Sequence, residues 1–429
     1  FGLGMMCSSF GIILTFNYQW LGSLEEWAFR LLYEVTGHYN YTILASMGIL
    51  VILLGLVVMA WATRRLIRTM IGVVMPGESD NLSNLIFSNL QLSKGPKVVV
   101  IGGGTGLSVM LRGLKAKTYN LTAVVTVADD GGSTGRIRQD LDIIAPGDLR
   151  NCLVALADKE GLMEKLFAHR FGGSGNLTGH SFGNLFIAAL IEVLGDVEEA
   201  MDATSKVLRV RGKVIPSSAE KLRLNAEMTD GRIVEGESQI PHAHGKIKRV
   251  FTTPEHPRAI QSAVDAIREA DAIVLGPGSL YTSIMPNLCV PDIVQAVRTS
   301  KAPKIYICNV MTQPGETDDY TVSDHIRAIN RQAGGKVIDF VIANNGDVDP
   351  AVLQRYVAHG SHPVMIDKKE VSQTGATLIL SNLINKENSA THDTKKLANV
   401  LFDLINALRT DLSPELLHYY LKRYTFNHR

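Results

Sequence analysis

The chain has 429 residues, with 43 Lys and Arg against 42 Asp and Glu. This length exceeds one ordinary domain and is enough to bury a large core. The balanced charge argues against a general nucleic-acid-binding protein, which usually carries a basic excess, so no nucleic-acid partner is expected. The four cysteines form no C-x-x-C pair. This spacing favours buried thiols in a reducing compartment over a disulfide framework or a zinc site.

The first seventy residues differ in composition from the rest. Residues 43–62 contain no charge, and as a helix they would be about 30 Å long, enough to cross a bilayer. Arg64, Arg65 and Arg68 follow directly, and the positive-inside bias places that end in the cytoplasm. Residues 1–16 are also uncharged. Because the chain opens on Phe1 rather than Met, we interpret them as the end of a truncated first span.

These features predict four regions along the chain. They are a transmembrane hairpin at 1–70, a linker at 71–96, a nucleotide-binding α/β domain at 97–410 and a C-terminal tail at 411–429. The predicted location is the cell membrane, multi-pass, with the main domain in the cytoplasm. Two alternatives are a buried core helix at 43–62 and a signal-peptide core at 1–16, although a span follows the latter within about thirty residues.

From residue 97 onward, short apolar runs alternate with helical stretches, a pattern typical of a mostly parallel sheet with helices on both faces. Strands are predicted at 97–101, 123–127, 272–275, 304–308 and 339–343. Helices are predicted at 106–114, 149–156, 182–194, 197–208, 257–269 and 395–408. A small antiparallel insertion is expected at 221–250, because Asp230-Gly231 is a hairpin turn signal.

The first predicted strand runs into a glycine-rich turn and then a helix. The turn consists of Gly102, Gly103, Gly104, Thr105 and Gly106. Glycines let the backbone approach a ligand closely, and a helix N-terminus presents amide groups and a positive dipole end to a phosphate. Leu107 stands where the dinucleotide fingerprint has its third glycine, and the lysine of a P-loop is missing. The alternative is a tight turn that binds nothing.

A second polar motif follows the next predicted strand. It contains Asp129, Asp130, Ser133, Thr134 and Arg136. Asp129 and Asp130 are the candidate metal ligands, because carboxylates can hold Mg²⁺. Mg²⁺ is the one candidate cofactor. Arg136 could pair with a phosphate oxygen. The alternative is that Asp130 caps the next helix and Arg136 is solvated.

Further polar loops precede helices or follow predicted strands. Their candidate ligand residues are Arg150, Asn151, His180, Asn184, Gly276, Gly278, Ser279 and Asn309. Ligands bind beyond the carboxyl ends of strands in open α/β sheets, so these loops outline one crevice. Asp148 could simply cap its helix, and His180 could be structural.

These motifs, in this order, resemble the gluconeogenesis-factor family, also called YvcK-like, which is related to 2-phospho-L-lactate transferase (CofD-like). The match spans residues 97–391 and includes the segments 102–107, 129–136, 146–151, 179–184, 276–283 and 309–315. The resemblance implies a Rossmann-like α/β fold with a nucleotide site at the strand ends.

The resemblance also implies a function. The gluconeogenesis-factor branch binds uridine-diphosphate sugars such as UDP-N-acetylglucosamine and is tied to carbon metabolism, cell shape and cell-wall synthesis. The resemblance also allows a homo-oligomer and cell-wall-related protein partners. The main alternative is a Mg²⁺-dependent transferase that uses a nucleotide-activated substrate, as in the related branch. A third hypothesis, from the fold alone, is an NAD-dependent oxidoreductase.

Overall fold

The structure is a computed structural model that describes residues 17–37, 41–74, 90–158, 161–385 and 389–409. The chain divides into two compact units, Phe1–Phe87 and Ser88–Arg429. In the first unit, helices α1 (Asn17–Thr36) and α2 (Tyr41–Val74) are described.

The predicted hairpin at 1–70 falls in this first unit, and residues 1–16 lie outside the described residues. In the described part of the chain, no helix is both long and apolar enough to cross a membrane.

Ten strands are described in the second unit. They are β1 (Val98–Gly102), β2 (Leu121–Val125), β3 (Lys213–Pro216), β4 (Arg223–Met228), β5 (Ile233–Glu235), β6 (Ile247–Thr253), β7 (Ala272–Leu275), β8 (Lys304–Ile307), β9 (Phe340–Asn344) and β10 (Thr377–Ser381). Seven of them form one parallel sheet in the order β10-β9-β8-β7-β1-β2-β3. The other three form the antiparallel sheet β5-β4-β6.

Helices connect these strands and follow the last one. They are α3 (Gly104–Leu114), α4 (Gly132–Leu141), α5 (Gly147–Leu156), α6 (Gly161–Ala168), α7 (Phe182–Leu194), α8 (Val197–Val207), α9 (Gln261–Arg268), α10 (Met285–Leu288), α11 (Pro291–Thr299), α12 (Val322–Gln332), α13 (Pro350–Val357), α14 (Lys368–Gln373) and α15 (Thr394–Arg409). A 3₁₀ helix spans Glu237–His242, and a π-helical turn spans Leu280–Ile284.

The sequence predicted the mostly parallel sheet and the antiparallel insertion, and the structure confirms both. Strand β7 and helix α7 have the predicted bounds. Strands β3 and β10 were missed, because each has only four or five residues at an edge of the sheet. The apolar run of α7 is not entirely core, since Val193 and Leu194 at its end are exposed.

Strand β1 lies near the middle of the sheet, and Val98, Val99, Val100 and Ile101 are all buried. This burial explains its continuous run of β-branched residues, since a central parallel strand is covered on both faces. The strand therefore carries the glycine-rich turn at its carboxyl end on a rigid support.

Asn287, at the end of the chain segment that follows β7, ties that segment to the turn after β1. Its fully buried side-chain Nδ2 donates to the carbonyl oxygens of Gly102 at 3.1 Å and Ser283 at 2.9 Å. Buried carbonyl groups require hydrogen-bond partners. The amide of Asn287 therefore fixes the two turns relative to each other.

We expect Asn287→Ala to lower the free energy of unfolding by about 1–3 kcal/mol, because it removes two buried hydrogen bonds, although the Gly102 carbonyl oxygen keeps the Thr126 N–H. Asn345→Ala is the control, since Asn345 is exposed and such changes usually stay within about 0.5 kcal/mol. Urea unfolding followed by circular dichroism measures both variants. Equal stability of the two variants would contradict this role of Asn287.

Candidate functional site

A cleft of about 560 Å³ opens beyond the carboxyl ends of β1, β7 and β8. Its wall contains residues from the turn after β1, from the loops after β7 and β8, and from two later segments near Tyr356 and His392. The predicted ligand residues in this wall are Gly104, Thr105, Gly106, Gly278, Ser279 and Asn309. The cleft has the size and the position in the sheet of a small-molecule site.

The wall of the cleft on the β1 side is the N-terminus of α3. Gly103 precedes this helix and supplies no side-chain cap, and Gly104 has a φ of +69°. A Cβ at Gly106 would lie 2.8 Å from the carbonyl oxygen of Pro277. Glycine is needed at both positions, at Gly104 for the backbone conformation and at Gly106 for the close approach. The N-cap residue is a glycine, so no side chain of its own covers the first amide groups of this eleven-residue helix.

The loops after β7 and β8 are joined by side-chain hydrogen bonds. Gln313 Nε2 donates to Ser279 Oγ at 2.6 Å, and Asn309 Nδ2 donates to Gln313 Oε1 at 3.3 Å. Behind them, the carboxylate of Glu316 accepts from the Tyr281 backbone N–H at 3.2 Å. Burial raises the pKa of Glu316 to about 7. These bonds fix the shape of the wall before any ligand arrives.

On the β2 side of the same glycine turn lies a group of half-buried carboxyl groups. Burial raises the pKa of Asp129 above its usual value, raises that of Asp148 to about 6, and raises that of Glu237 to about 8. The neighbouring carboxylates add to the shift at all three. Asp148 accepts a hydrogen bond from the Gly104 backbone N–H, and so contacts the glycine turn directly.

Asp130 performs a different task from the one predicted. Its carboxylate oxygens accept from the backbone N–H groups of Glu237 at 3.0 Å and Ser238 at 2.9 Å. It therefore caps the 3₁₀ helix Glu237–His242 of the insertion. The alternative that Asp130 caps the next helix is wrong, because α4 follows Gly131 and has no side-chain cap. The proposed N-cap role of Asp148 is wrong as well, since Pro146 occupies that position of α5.

Ser133 joins the next group of predicted residues. Its hydroxyl lies 3.3 Å from His180 Nδ1 and accepts from Asn184 Nδ2 at 3.4 Å. Arg136 Nη2 donates to the carbonyl oxygen of Thr178 at 2.8 Å, so Arg136 supports the loop before His180 and is not simply solvated. Thr134 is hydrogen-bonded to Asp129.

Arg150 lies in the first turn of α5 and is 9 % exposed. Its Nη2 donates to the side chain of its neighbour Asn151 at 2.6 Å.

The predicted residues thus form two groups. The first group lines the cleft and contains predicted glycines, Ser279 and Asn309. The second group contains the predicted residues that follow β2, and it lies on the other side of Gly103. A Cβ at Gly103 would be 2.5 Å from Asp148 Oδ2, so only the glycine backbone separates the groups there. Gly102, Gly103 and Gly276 shape the turns without being part of the wall.

The described structure provides no third metal ligand beside the predicted pair, Asp129 and Asp130. Among the described residues, no three His, Cys, Asp or Glu side chains are arranged to hold a metal ion. Two backbone N–H groups already occupy Asp130. Magnesium binding by Asp129 and Asp130 therefore stays a prediction.

Several residues of the site were missed by sequence reasoning. They are Asn287, Gln313, Glu316, Tyr356 and His392. Only Gln313 falls in a motif that the sequence suggested. The others are single polar residues outside these motifs, and they lie in chain segments that are far apart in sequence.

Comparison with known proteins agrees with this architecture. The family model of 2-phospho-L-lactate transferase CofD matches residues 98–384. A putative gluconeogenesis factor of Nostoc sp. is 50 % identical over 357 residues, which cover 82 % of this chain and 78 % of the relative. The gluconeogenesis factor of Bacillus subtilis is 50 % identical over 311 residues, covering 72 % of this chain and 98 % of that protein.

A crystal structure of a Bacillus halodurans protein, described as a member of the UPF0052 family, superposes with a TM-score of 0.70. It is 48 % identical, and the match covers 72 % of this chain and 99 % of that one. The match of the family model over most of the α/β unit, together with these relatives, shows that the chain belongs to the 2-phospho-L-lactate transferase CofD family, among relatives named gluconeogenesis factors.

Proposed function

We propose that the chain binds a uridine-diphosphate sugar, such as UDP-N-acetylglucosamine, in the cleft and acts as a sensor that links carbon metabolism to cell shape and cell-wall synthesis. The observation that carries the proposal is the chemistry of the wall. The described lining residues include the N-terminal turn of α3 but no Asp, Glu, Lys or Arg. A diphosphate there would meet helix amide groups in a wall that has no carboxylate of its own, while Asp148 binds the Gly104 N–H from the other side of the turn.

The rest of the wall suits the remainder of such a ligand. Asn309, Gln313, Thr312 and Ser361 offer amide and hydroxyl groups, and Tyr356 offers an aromatic ring. Pockets for small ligands combine apolar surface with a few placed polar groups in this way. The volume of about 560 Å³ lies within the usual range for such sites.

The half-buried carboxyl groups on the β2 side favour the alternative, a Mg²⁺-dependent transferase with a nucleotide-activated substrate. Asp129, Asp148 and Glu237 lie close enough to raise one another's pKa. A cation would offset this repulsion. The sensor remains our proposal, because the α3 N-terminus can hold a diphosphate without that cation.

The membrane attachment belongs to the same proposal. Residues 43–62 carry no charge and precede Arg64, Arg65 and Arg68. We propose that the N-terminal unit anchors the protein in the cell membrane with the α/β unit on the cytoplasmic side. A sensor of cytoplasmic nucleotide sugars would then lie next to the site of envelope synthesis.

The proposed phosphate-binding site at the N-terminus of α3 can be tested by introducing a charged side chain. Thr105 is exposed in the first turn of α3 and lines the cleft. We expect Thr105→Glu to fold normally, because a carboxylate is favourable near a helix N-terminus. It should weaken UDP-N-acetylglucosamine binding at least about tenfold by repelling the diphosphate.

Thr105→Gln is the matched control, with a similar shape and no charge, and should bind within about threefold of the parent. Isothermal titration calorimetry on the full chain compares the three proteins. If the Glu and Gln variants bind equally well, the diphosphate lies elsewhere.

Sensor and transferase differ in their need for metal. We expect UDP-N-acetylglucosamine to bind the full chain in EDTA within about threefold of its affinity in Mg²⁺, because helix amide groups rather than a cation hold the diphosphate. Calorimetry with and without chelator measures this. Loss of binding in EDTA, together with Mg²⁺-dependent turnover of a nucleotide-activated substrate, would replace the sensor with the transferase.

The topology is tested by labelling. In intact cells we expect a membrane-impermeant thiol reagent to modify Glu26→Cys, which lies on the predicted outer side, and not Ser93→Cys. Both positions are exposed, so permeabilised cells should label both and provide the control. Labelling of Ser93→Cys but not Glu26→Cys in intact cells would reverse the proposed orientation.

A further inference from the structure

His392 lies in the wall of the cleft and is 7 % exposed. Its ring nitrogen Nε2 is buried and has no hydrogen-bond partner. No other described lining residue of the cleft has a buried side-chain nitrogen or oxygen in this condition. A buried polar atom without a partner costs about 1–3 kcal/mol. Contact with a ligand requires the ring to turn Nε2 toward the cleft, and a donor group on the ligand would then remove this cost.

The protonation of the ring follows from its other contact. The backbone of Cys308, directly after β8, lies close enough to the ring to favour a proton on it, and because Nε2 has no partner this contact falls to Nδ1. A carbonyl oxygen can only accept, so that nitrogen carries the hydrogen and Nε2 of the neutral ring is an acceptor. Burial lowers the pKa of His392 to about 4. The ring is therefore neutral near pH 7, and Nε2 does not become a donor.

The neighbouring polar side chains are already paired with one another. Gln313 donates to Ser279 and accepts from Asn309, and Ser361 Oγ donates to the Thr312 carbonyl oxygen. These bonds leave His392 as the wall residue with an unused buried acceptor.

The position of His392 relative to the proposed phosphate-binding site at the N-terminus of α3 follows from the order of strands. Its backbone partner Cys308 directly follows β8, and the glycine turn follows β1, with β7 between the two strands. Two strand spacings amount to about 10 Å. His392 therefore lies on the β8 side of the cleft and the N-terminus of α3 on the β1 side, so the nucleoside or the sugar attached to a diphosphate at α3 can reach the side of His392.

We propose that His392 is a specificity-determining residue whose Nε2 accepts a hydrogen bond from an N–H or O–H donor on the nucleoside or sugar part of the ligand. The inference rests on the proposed function, because it assumes that a nucleotide sugar occupies the cleft. It adds a requirement: the bound group opposite the diphosphate must be a donor. A ligand that offers only acceptors at this point is rejected, because the lone pair of Nε2 then stays unpaired.

Two substitutions separate the acceptor from the structural contact. In His392→Asn the side-chain amide can still donate to the carbonyl oxygen of Cys308, but no atom reaches the position of Nε2. In His392→Gln the longer side chain can place an amide oxygen near that position. Thermal unfolding followed by circular dichroism checks that both variants are folded.

Calorimetry with the full chain and UDP-N-acetylglucosamine measures the effect. We expect His392→Asn to weaken binding about five- to thirtyfold, the value of one buried hydrogen bond, and His392→Gln to stay within about threefold of the parent. A parallel titration with UDP locates the donor. Equal loss with both ligands places it on the nucleoside, and loss with the sugar nucleotide alone places it on the sugar.

Failure of this inference and failure of the proposed function give different results. If the parent binds and His392→Asn binds within about twofold of it, His392 does not read the ligand, and the inference alone is overturned. If the parent binds neither UDP-N-acetylglucosamine nor UDP, the proposed function fails and the inference with it.

Discussion

The close approach of two backbone turns, one after β1 and one after β7, is the constraint on which the site depends. Gly106 lies against the carbonyl oxygen of Pro277, where no side chain would fit, and Asn287 donates to carbonyl groups of both segments. The strands that carry these turns are buried neighbours in the parallel sheet. These contacts tie both turns to the core and keep the N-terminus of α3 at the wall of the cleft, while Asp148 binds its first N–H from the β2 side.

This arrangement separates two kinds of chemistry with a single glycine segment. The cleft side has helix amide groups and neutral polar side chains, whereas the β2 side has Asp129, Asp148 and Glu237, whose pKa values are raised by burial. The positive end of the α3 dipole faces the cleft, whereas the carboxyl groups lie behind the turn. An anionic ligand is favoured on the cleft side, and a cation or a proton is favoured on the other. A sensor needs only the first side, and a transferase of the same family would use both.

Some polar residues that the sequence predicted to bind ligand instead stabilise the fold through hydrogen bonds to backbone groups. Asp130 caps the 3₁₀ helix of the antiparallel insertion, and Arg136 supports the loop before His180. Both are charged side chains in glycine-rich segments, which is why they resemble ligand residues. Their hydrogen bonds to distant backbone groups could not be foreseen, because they join segments as much as about one hundred residues apart. Conversely, His392 has no motif around it, and its place in the wall arises from the packing of its segment beside β8.

The sequence by itself determined the features that depend on local chemistry. The apolar runs specified the central strands, the glycine turn specified the start of α3, and Asp230-Gly231 specified the hairpin of the insertion, because each is a short-range property of backbone conformation and burial. The tertiary structure decided which polar groups meet. It separated Asp129 from the cleft, bonded Asp130 to the insertion, and brought Glu316 behind the wall and His392 into it. Such contacts depend on strand order and on the packing of distant segments, and no local pattern encodes them.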